Sequence, residues 1–237
     1  MHSHLFMSEK PKIVVIIPAY NEENSIAKVV NDIPEGLVDK VIVVNNNSND
    51  ATDKNAQGAG ATVLHENRPG YGYACLKGIE YAKQMHPLPD IVVFIDADYS
   101  DHPEEMPLLL HPIINDGMDM VIGSRALGKK EKGSMTVQQI FGNRLATRLL
   151  KMFYGVQYTD LGPFRAIRYD KLMDINMQDT TYGWTVEMQL KAAKLKMNIA
   201  EVPVSYRKRI GQSKISGTVK GTLLAGYKII TTIFKYR

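Results

Sequence analysis

The chain has 237 residues, 44% of them hydrophobic, a single cysteine and a formal net charge of +4. This is ample apolar material for one large α/β domain or two small ones. It excludes a disulfide-stapled scaffold and, for want of about 18 uninterrupted apolar residues, argues against a membrane-spanning helix. The positive excess is uneven: acids crowd residues 90–105, whereas basic residues gather in "RALGKKEK" and from "YRKRIGQSK" onward. Such asymmetry suits anionic partners such as phosphates or acidic lipid headgroups, or is simply a solvated basic face. Cys75 alone makes no internal disulfide, so the cytosol is the expected compartment. The opening "MHSHLFMSEKPK" has no secretory-leader pattern, and Met7 is an alternative start.

"KIVVIIPAY" is apolar without alternation, as expected of a strand buried on both faces in a parallel sheet, and Pro18 ends it. "NEENSIAKVVNDI" carries Ile26, Val29, Val30 and Ile33 at helical spacing, with Asn21 or Asn24 available as caps. "VDKVIVVNNNSND" repeats strand and polar loop, and a short helix closed by glycine precedes the small strand "TVLHE". A Gly-rich turn in "NRPGYGYA" opens another helix, and "PDIVVFIDAD" is the next buried strand. "HPEEMPLLLHPIIND" is a helix opened by Pro103, and "DMVIGSR" a fifth apolar strand. The alternation predicts an α/β fold with a mainly parallel sheet flanked by helices. Ligands of such sheets bind beyond the carboxyl ends of the strands, where "PAYNEE", "NNNSND" and "DADYSD" all fall.

After Arg125 come a polar loop, a long amphipathic helix "TVQQIFGNRLATRLLKMFYG", the stretch "YTDLGPFRAI", a helix around "GWTVEMQLKAAKL" and a last strand "NIAEVPVSYR". No linker divides the chain. The expected organisation is a flexible terminus over 1–11, one domain over 12–216 and an amphipathic helix over 217–237. In that helix Leu223, Leu224, Tyr227, Ile230, Ile233 and Phe234 form one apolar band, and Lys220, Lys228, Lys235 and Arg237 reach toward anionic headgroups. It lies on a membrane surface, or it packs on the domain's own core or a second copy.

Asp96 and Asp98, one residue apart at a strand's end, can present oxygens to one hard divalent cation that neutralises a diphosphate. The alternative is a helix start with Ser100 or Asp101 as cap.

"VVIIPAYNEE", "VIVVNNNSNDAT", "ENRPGYGYA", "VVFIDADYSDHPE", "VIGSR", "DLGPFRAI" and "EVPVSYRKRIGQSKIS", in that order and spacing, resemble family 2 glycosyltransferases of the GT-A fold. The likeness is greatest to the branch of dolichyl-phosphate mannose synthase and other polyprenyl-phosphate glycosyltransferases, and spans residues 12–216. It implies a metal-dependent, inverting transfer of a hexose from a nucleotide-diphosphate sugar to a polyprenyl or dolichyl phosphate, with Mg²⁺ or Mn²⁺ on Asp96 and Asp98. It further implies that Pro18, Tyr20, Glu22, Asn67 and Gly72 border the donor and that Arg125 closes that side. Arg144, Arg165, Arg207, Arg209, Ser213 and Lys214 meet phosphates of donor or acceptor, Arg207 beside the leaving group, and Trp184 and Glu187 face the acceptor. The plain alternatives are core aromatics at Tyr20 and Trp184, a solvated helix face at Arg144 and Arg148, a core ion pair at Glu187 and an idle basic turn at "GQSK". The partners implied are the donor, a lipid phosphate and the cytosolic face of a membrane, with no nucleic acid; a second copy or a separate membrane subunit stays open.

Two departures from the family pattern carry information. Asn45 and Asn46 stand where the family has two aspartates. Guanine's adjacent donors suit one carboxylate, whereas an amide complements uracil's donor-acceptor order, so a UDP-sugar is expected over GDP-mannose. Ser100 replaces a longer amide, leaving room for water on the cation.

A nicotinamide-dependent oxidoreductase needs a Gly-rich turn after the first strand, where this chain has "PAYNEE". A processive enzyme's Gln-x-x-Arg-Trp signature is also missing, which favours a single transfer. The runner-up readings are transfer to a soluble alcohol or saccharide and a non-catalytic sugar-nucleotide-binding scaffold.

Overall fold

The structure is a computed structural model that describes residues 10–211 and 219–236. Seven strands form one sheet: β1 (Ile13–Ala19), β2 (Lys40–Asn45), β3 (Thr62–His65), β4 (Ile91–Phe94), β5 (Met120–Ser124), β6 (Arg165–Arg168) and β7 (Ile199–Pro203). Their order is β3-β2-β1-β4-β6-β5-β7. β6 runs antiparallel to both its neighbours, and every other pairing is parallel.

Every residue of β1 is buried, and successive side chains go to opposite faces. Val14 and Ile16 join one core layer, while Ile13, Val15 and Ile17 join the other. The first layer is covered by α3 (Tyr71–Lys83), α5 (Val137–Tyr154), α6 (Tyr169–Ile175), α7 (Trp184–Lys194) and α8 (Val219–Lys235). The second is covered by α1 (Ile26–Asn31), α2 (Thr52–Gly58) and α4 (Met106–Asn115). Helices on both faces leave the carboxyl rim of β1, β2 and β4 as the open edge of the fold.

Local chemistry departs from expectation at several places. Neither Asn21 nor Asn24 caps α1; Ser25 stands at its start, and Asn21 sits at φ +52° with its Oδ1 accepting from Asn49 N at 2.9 Å. The helix expected after Pro103 is split into a 3-10 turn over Pro103–Glu105 and α4, with a second proline, Pro107, near the start of α4. Neither Ser100 nor Asp101 caps it, because His102 occupies that position. β6 and α6 lie in a stretch with no expected element.

α8 packs on the domain's own core. Ile233 is fully buried, the rings of Phe153 and Phe234 lie 5.3 Å apart, and Tyr154 donates from its hydroxyl to the Ile233 carbonyl at 2.6 Å. Leu224, Tyr227 and Phe234 remain exposed. Ser213, Lys214 and Arg237, with the side chains of Lys220 and Leu223, lie outside the described residues.

Candidate active site

The ends of β1, β2 and β4 open into a cleft of about 370 Å³ lined by Pro18, Tyr20, Glu22, Asn46, Asp96, Asp98 and Arg209, among others. Pro18 and Tyr20 come from the end of β1, and Asp96 and Asp98 from the turn after β4. Thr181 and Tyr182 form the wall from the loop before α7.

Asp98 is almost fully buried. Its Oδ1 accepts from Ser100 N at 2.9 Å and from the Ser100 hydroxyl. Its Oδ2 lies 3.1 Å from Nη1 of Arg209, whose Nη2 lies 3.1 Å from Oε1 of Glu22. Asp96 accepts from the Tyr71 hydroxyl at 3.0 Å. Burial and the neighbouring charge of Asp98 raise its carboxyl above the ordinary range, against the Tyr71 hydrogen bond and the Arg209 charge. Among the described residues the Asp101 carboxyl is buried without a hydrogen-bond partner, and burial pushes its pKa well above the ordinary value. A positive group close by, such as the Arg209 guanidinium at Asp98, opposes these upward shifts and favours the ionised forms. Among the described residues, no group of three or more His, Cys, Asp or Glu side chains is placed to hold a metal ion.

Several expected roles are redrawn. Arg207 points away from the cleft: it lies over the Tyr99 ring at 3.4 Å and donates to the carbonyls of Tyr99 (2.7 Å) and Asp101 (3.1 Å), bracing the acidic turn from behind. Arg209, two residues on, enters the cleft instead. Arg165 is completely buried, donating to the carbonyls of Leu161, Gly162 and Thr185, so it has no path to a phosphate; burial lowers its pKa to about 10. Trp184 is a core aromatic, edge-on to Phe94 at 5.9 Å. Arg144 is exposed on α5, outside the cleft lining.

Glu187 is fully buried and is not part of the cleft lining. It accepts from Gln178 N (3.0 Å), Asp179 N (2.6 Å) and the Tyr236 hydroxyl (2.7 Å), and pairs with Lys191 at 2.6 Å. Asp179 in turn accepts from Thr181 N at 2.8 Å and pairs with Lys228 of α8 at 3.0 Å. The loop that walls the cleft is therefore tied to both α7 and α8.

Arg125 is held bidentate by Asp160 (2.8 and 2.7 Å) and lies 5.0 Å from the Tyr206 ring. The Asn45 and Asn46 side chains are also committed. Asn45 donates to Asp53 and accepts from Ser48 N at 2.7 Å. Asn46 donates to the carbonyls of Glu66 (2.9 Å) and Arg68 (2.7 Å) and accepts from Gly70 N at 2.8 Å. Both amides are engaged by protein groups, and Asn46 also lines the cleft, so base reading by these side chains stays an expectation. Asn67 is exposed beside the cleft and is not part of its lining.

Gly72 is a packing residue in the first turn of α3. A Cβ there would stand 2.1 Å from the Asp179 carbonyl oxygen and 2.6 Å from the Thr180 carbonyl carbon, and backbone atoms cannot swing aside. Gly72→Ala is expected to cost about 1–3 kcal/mol, read as a lowered denaturant midpoint, and to weaken donor binding by displacing the 179–182 wall.

Tyr71, Asn47, Thr181, Tyr182 and Asp160 escaped sequence reasoning. Asp160 sits in the quoted "DLGPFRAI", but its pairing across 35 residues with Arg125 has no local signal.

An α/β fold with one antiparallel strand in an otherwise parallel sheet, and an acidic pair at its carboxyl rim, matches the GT-A architecture that the sequence resemblance implies. The chain belongs to glycosyl transferase family 2, whose model matches residues 14–175. It is 32% identical over 231 residues, 95% of each chain, to a dolichyl-phosphate hexose transferase of Haloferax volcanii. It is 30% identical over 213 residues to a UDP-N-acetylglucosamine–dolichyl-phosphate N-acetylglucosaminyltransferase of Methanococcus voltae, covering 81% of this chain and 84% of that one. The solved structure of glucosyl-3-phosphoglycerate synthase from Mycobacterium tuberculosis with Mn²⁺ and uridine-diphosphate-glucose superposes with a TM-score of 0.74 at 24% identity, covering 95% of this chain and 79% of that one. That likeness speaks for the fold.

Proposed function

We propose that this glycosyltransferase moves a hexose, with inversion, from a UDP-sugar to a polyprenyl or dolichyl phosphate at the cytosolic face of a membrane. The observation that carries the reading is the cleft-facing Oδ2 of Asp98, already engaged by a cationic group, with Asp96 beside it. Two carboxylates at a cleft fit Mg²⁺ or Mn²⁺, which takes its other ligands from water and substrate phosphates. When bound, such an ion supplies electrostatic stabilisation to the departing diphosphate. Asp98 and Asp96 would hold it, and Arg209 would bind the diphosphate oxygens. Glu187 and Asp179 keep the Thr181–Tyr182 wall in place, and Arg207 keeps the acidic turn in shape.

A phosphate acceptor needs no general base, since its oxygen is anionic near neutral pH. That oxygen forms a bond to the anomeric carbon as the bond to the diphosphate breaks, and the nucleoside diphosphate leaves. The UDP preference rests on the name of the Methanococcus relative, and the lipid acceptor on the names of both relatives. The discriminating experiment offers UDP- and GDP-sugars with a polyprenyl phosphate or a soluble phosphorylated acceptor. Product with UDP-hexose and the lipid phosphate is expected; transfer only to the soluble acceptor would refute the lipid reading.

The surface of α5 and α8 supports a membrane-facing acceptor. Val137, Ile140, Phe141, Leu145 and Met152 are exposed along α5, interleaved with Arg144, Arg148 and Lys151, and neither α5 nor α8 contains an acidic residue. No helix among the described residues is long and apolar enough to cross a membrane. Apolar side chains among cations suit an anionic bilayer surface. Replacing Phe141 and Met152 together by glutamate is expected to abolish co-sedimentation with vesicles containing anionic lipid while sparing the folded core. Undiminished sedimentation would remove this surface from the account.

A further inference from the structure

The free cleft contains a cation of its own. The segment after β7 runs beside the acidic turn, with Arg207 N donating to the Ser100 carbonyl at 3.0 Å and Ile210 N to the Asp98 carbonyl at 2.9 Å. This places the Arg209 guanidinium between Asp98 Oδ2 and Glu22 Oε1, 3.1 Å from each. Ser100 already occupies Asp98 Oδ1 through its N–H and hydroxyl, so Oδ2 is the oxygen that any other cation must use. Among the described residues the Arg209 Nε is buried without a hydrogen-bond partner, so within them the guanidinium is incompletely satisfied where it stands.

We propose that Arg209 occupies, in the ligand-free enzyme, the place a divalent cation takes at Asp98, and that the two exclude each other. The inference rests on the reading of Asp98 as a metal ligand. Two cations cannot share one carboxylate oxygen at contact distance without strong repulsion. A metal ion arriving alone must therefore displace the guanidinium. A diphosphate removes the conflict, because its oxygens offer Arg209 a bidentate partner and offer the metal the ligands that the protein lacks. Metal and diphosphate then enter together, and Arg209 passes from carboxylate to diphosphate. In this scheme Arg209 sets the order of binding as well as supplying charge.

The test measures binding of Mn²⁺ alone to the full chain, from the loss of the free-ion paramagnetic resonance signal. R209Q is expected to bind Mn²⁺ about tenfold more tightly than the wild type, the effect of releasing a partly exposed ion pair at the metal's oxygen. With UDP present the order reverses, and R209Q holds Mn²⁺ less well. K208Q removes a charge from the same segment, but its Nζ lies 3.6 Å from Glu131 and not at Asp98, so its affinity should stay within about twofold of the wild type. R209K, which retains the charge on a single-point donor, should fall between R209Q and the wild type, and serves if R209Q is poorly folded. Unchanged Mn²⁺ affinity in R209Q, or equal gains in R209Q and K208Q, would overturn the exclusion. D98N separates this from the underlying reading. If D98N binds Mn²⁺ with UDP as well as the wild type does, the metal assignment itself fails; if D98N loses the metal but R209Q does not gain it, only the role of Arg209 falls.

Discussion

Replacing Asp98 by asparagine is expected to lower sugar-transfer turnover by about three orders of magnitude while leaving the protein folded. The carboxylate's two oxygens divide their work. Oδ1 anchors the turn through Ser100, and an asparagine oxygen preserves that contact. Oδ2 faces the cleft and a positive group, and an amide N–H₂ there repels any cation. The stability cost is confined to half of the Arg209 pairing, because Arg209 keeps Glu22. That half is worth about 1 kcal/mol at a partly exposed site, a shift of about 2–4 °C in melting temperature for a chain of this size. Nucleoside-diphosphate release, measured alongside a melting curve, separates the two effects. Turnover within about tenfold of the wild type would mean that the acidic pair is not the chemical centre.

Asp160→Asn should do the opposite, breaking the fold before the chemistry. Arg125 and Asp160 are both largely enclosed, with side-chain exposures of 11% and 1%, and are joined by a bidentate pair. Removing one partner leaves the other charge buried and uncompensated, at about 3–5 kcal/mol, so the melting temperature should drop by about 10 °C or more. The pair also predicts an acid dependence. Burial opposes the Asp160 charge, but Arg125 and the backbone N–H groups outweigh it and hold the carboxyl below its ordinary value. A lowered folded-state pKa contributes stability that is fully present above the unfolded value of about 3.9 and is lost as the pH falls through the folded one. Wild-type melting temperatures should therefore fall on acidification below about pH 4, and the Asp160→Asn profile should be flatter there. Parallel acid limbs would assign the pair no such role.

Much of this architecture can be read from apolar patterning alone. β1, β2, β4 and β5 announce themselves as uninterrupted apolar runs because both faces of a parallel sheet are covered. α3, α5 and α7 show helical periodicity. β6 does not: its four residues, "RAIR", open with an arginine that the fold buries completely and satisfies with carbonyl oxygens, a solution invisible to any hydropathy pattern. The acidic pair was legible because it lies next to its own strand. The arginines were legible as phosphate-seeking residues but not as individuals. Which of Arg207 and Arg209 enters the cleft is decided by contacts with Tyr99, Asp98 and Glu22, more than 100 residues away in sequence. The partners of Glu187 and Asn46 carry no hydropathy signal either, since backbone N–H groups 8 and 9 residues before Glu187, and carbonyls 20 and 22 residues after Asn46, engage the two side chains.

The most direct test is an anomalous difference map from crystals grown with Mn²⁺ and UDP. A manganese peak is expected at Asp98, with the Arg209 guanidinium withdrawn from that carboxylate. A manganese–diphosphate complex bound away from this rim, with Asp98 still paired to Arg209, would contradict that expectation.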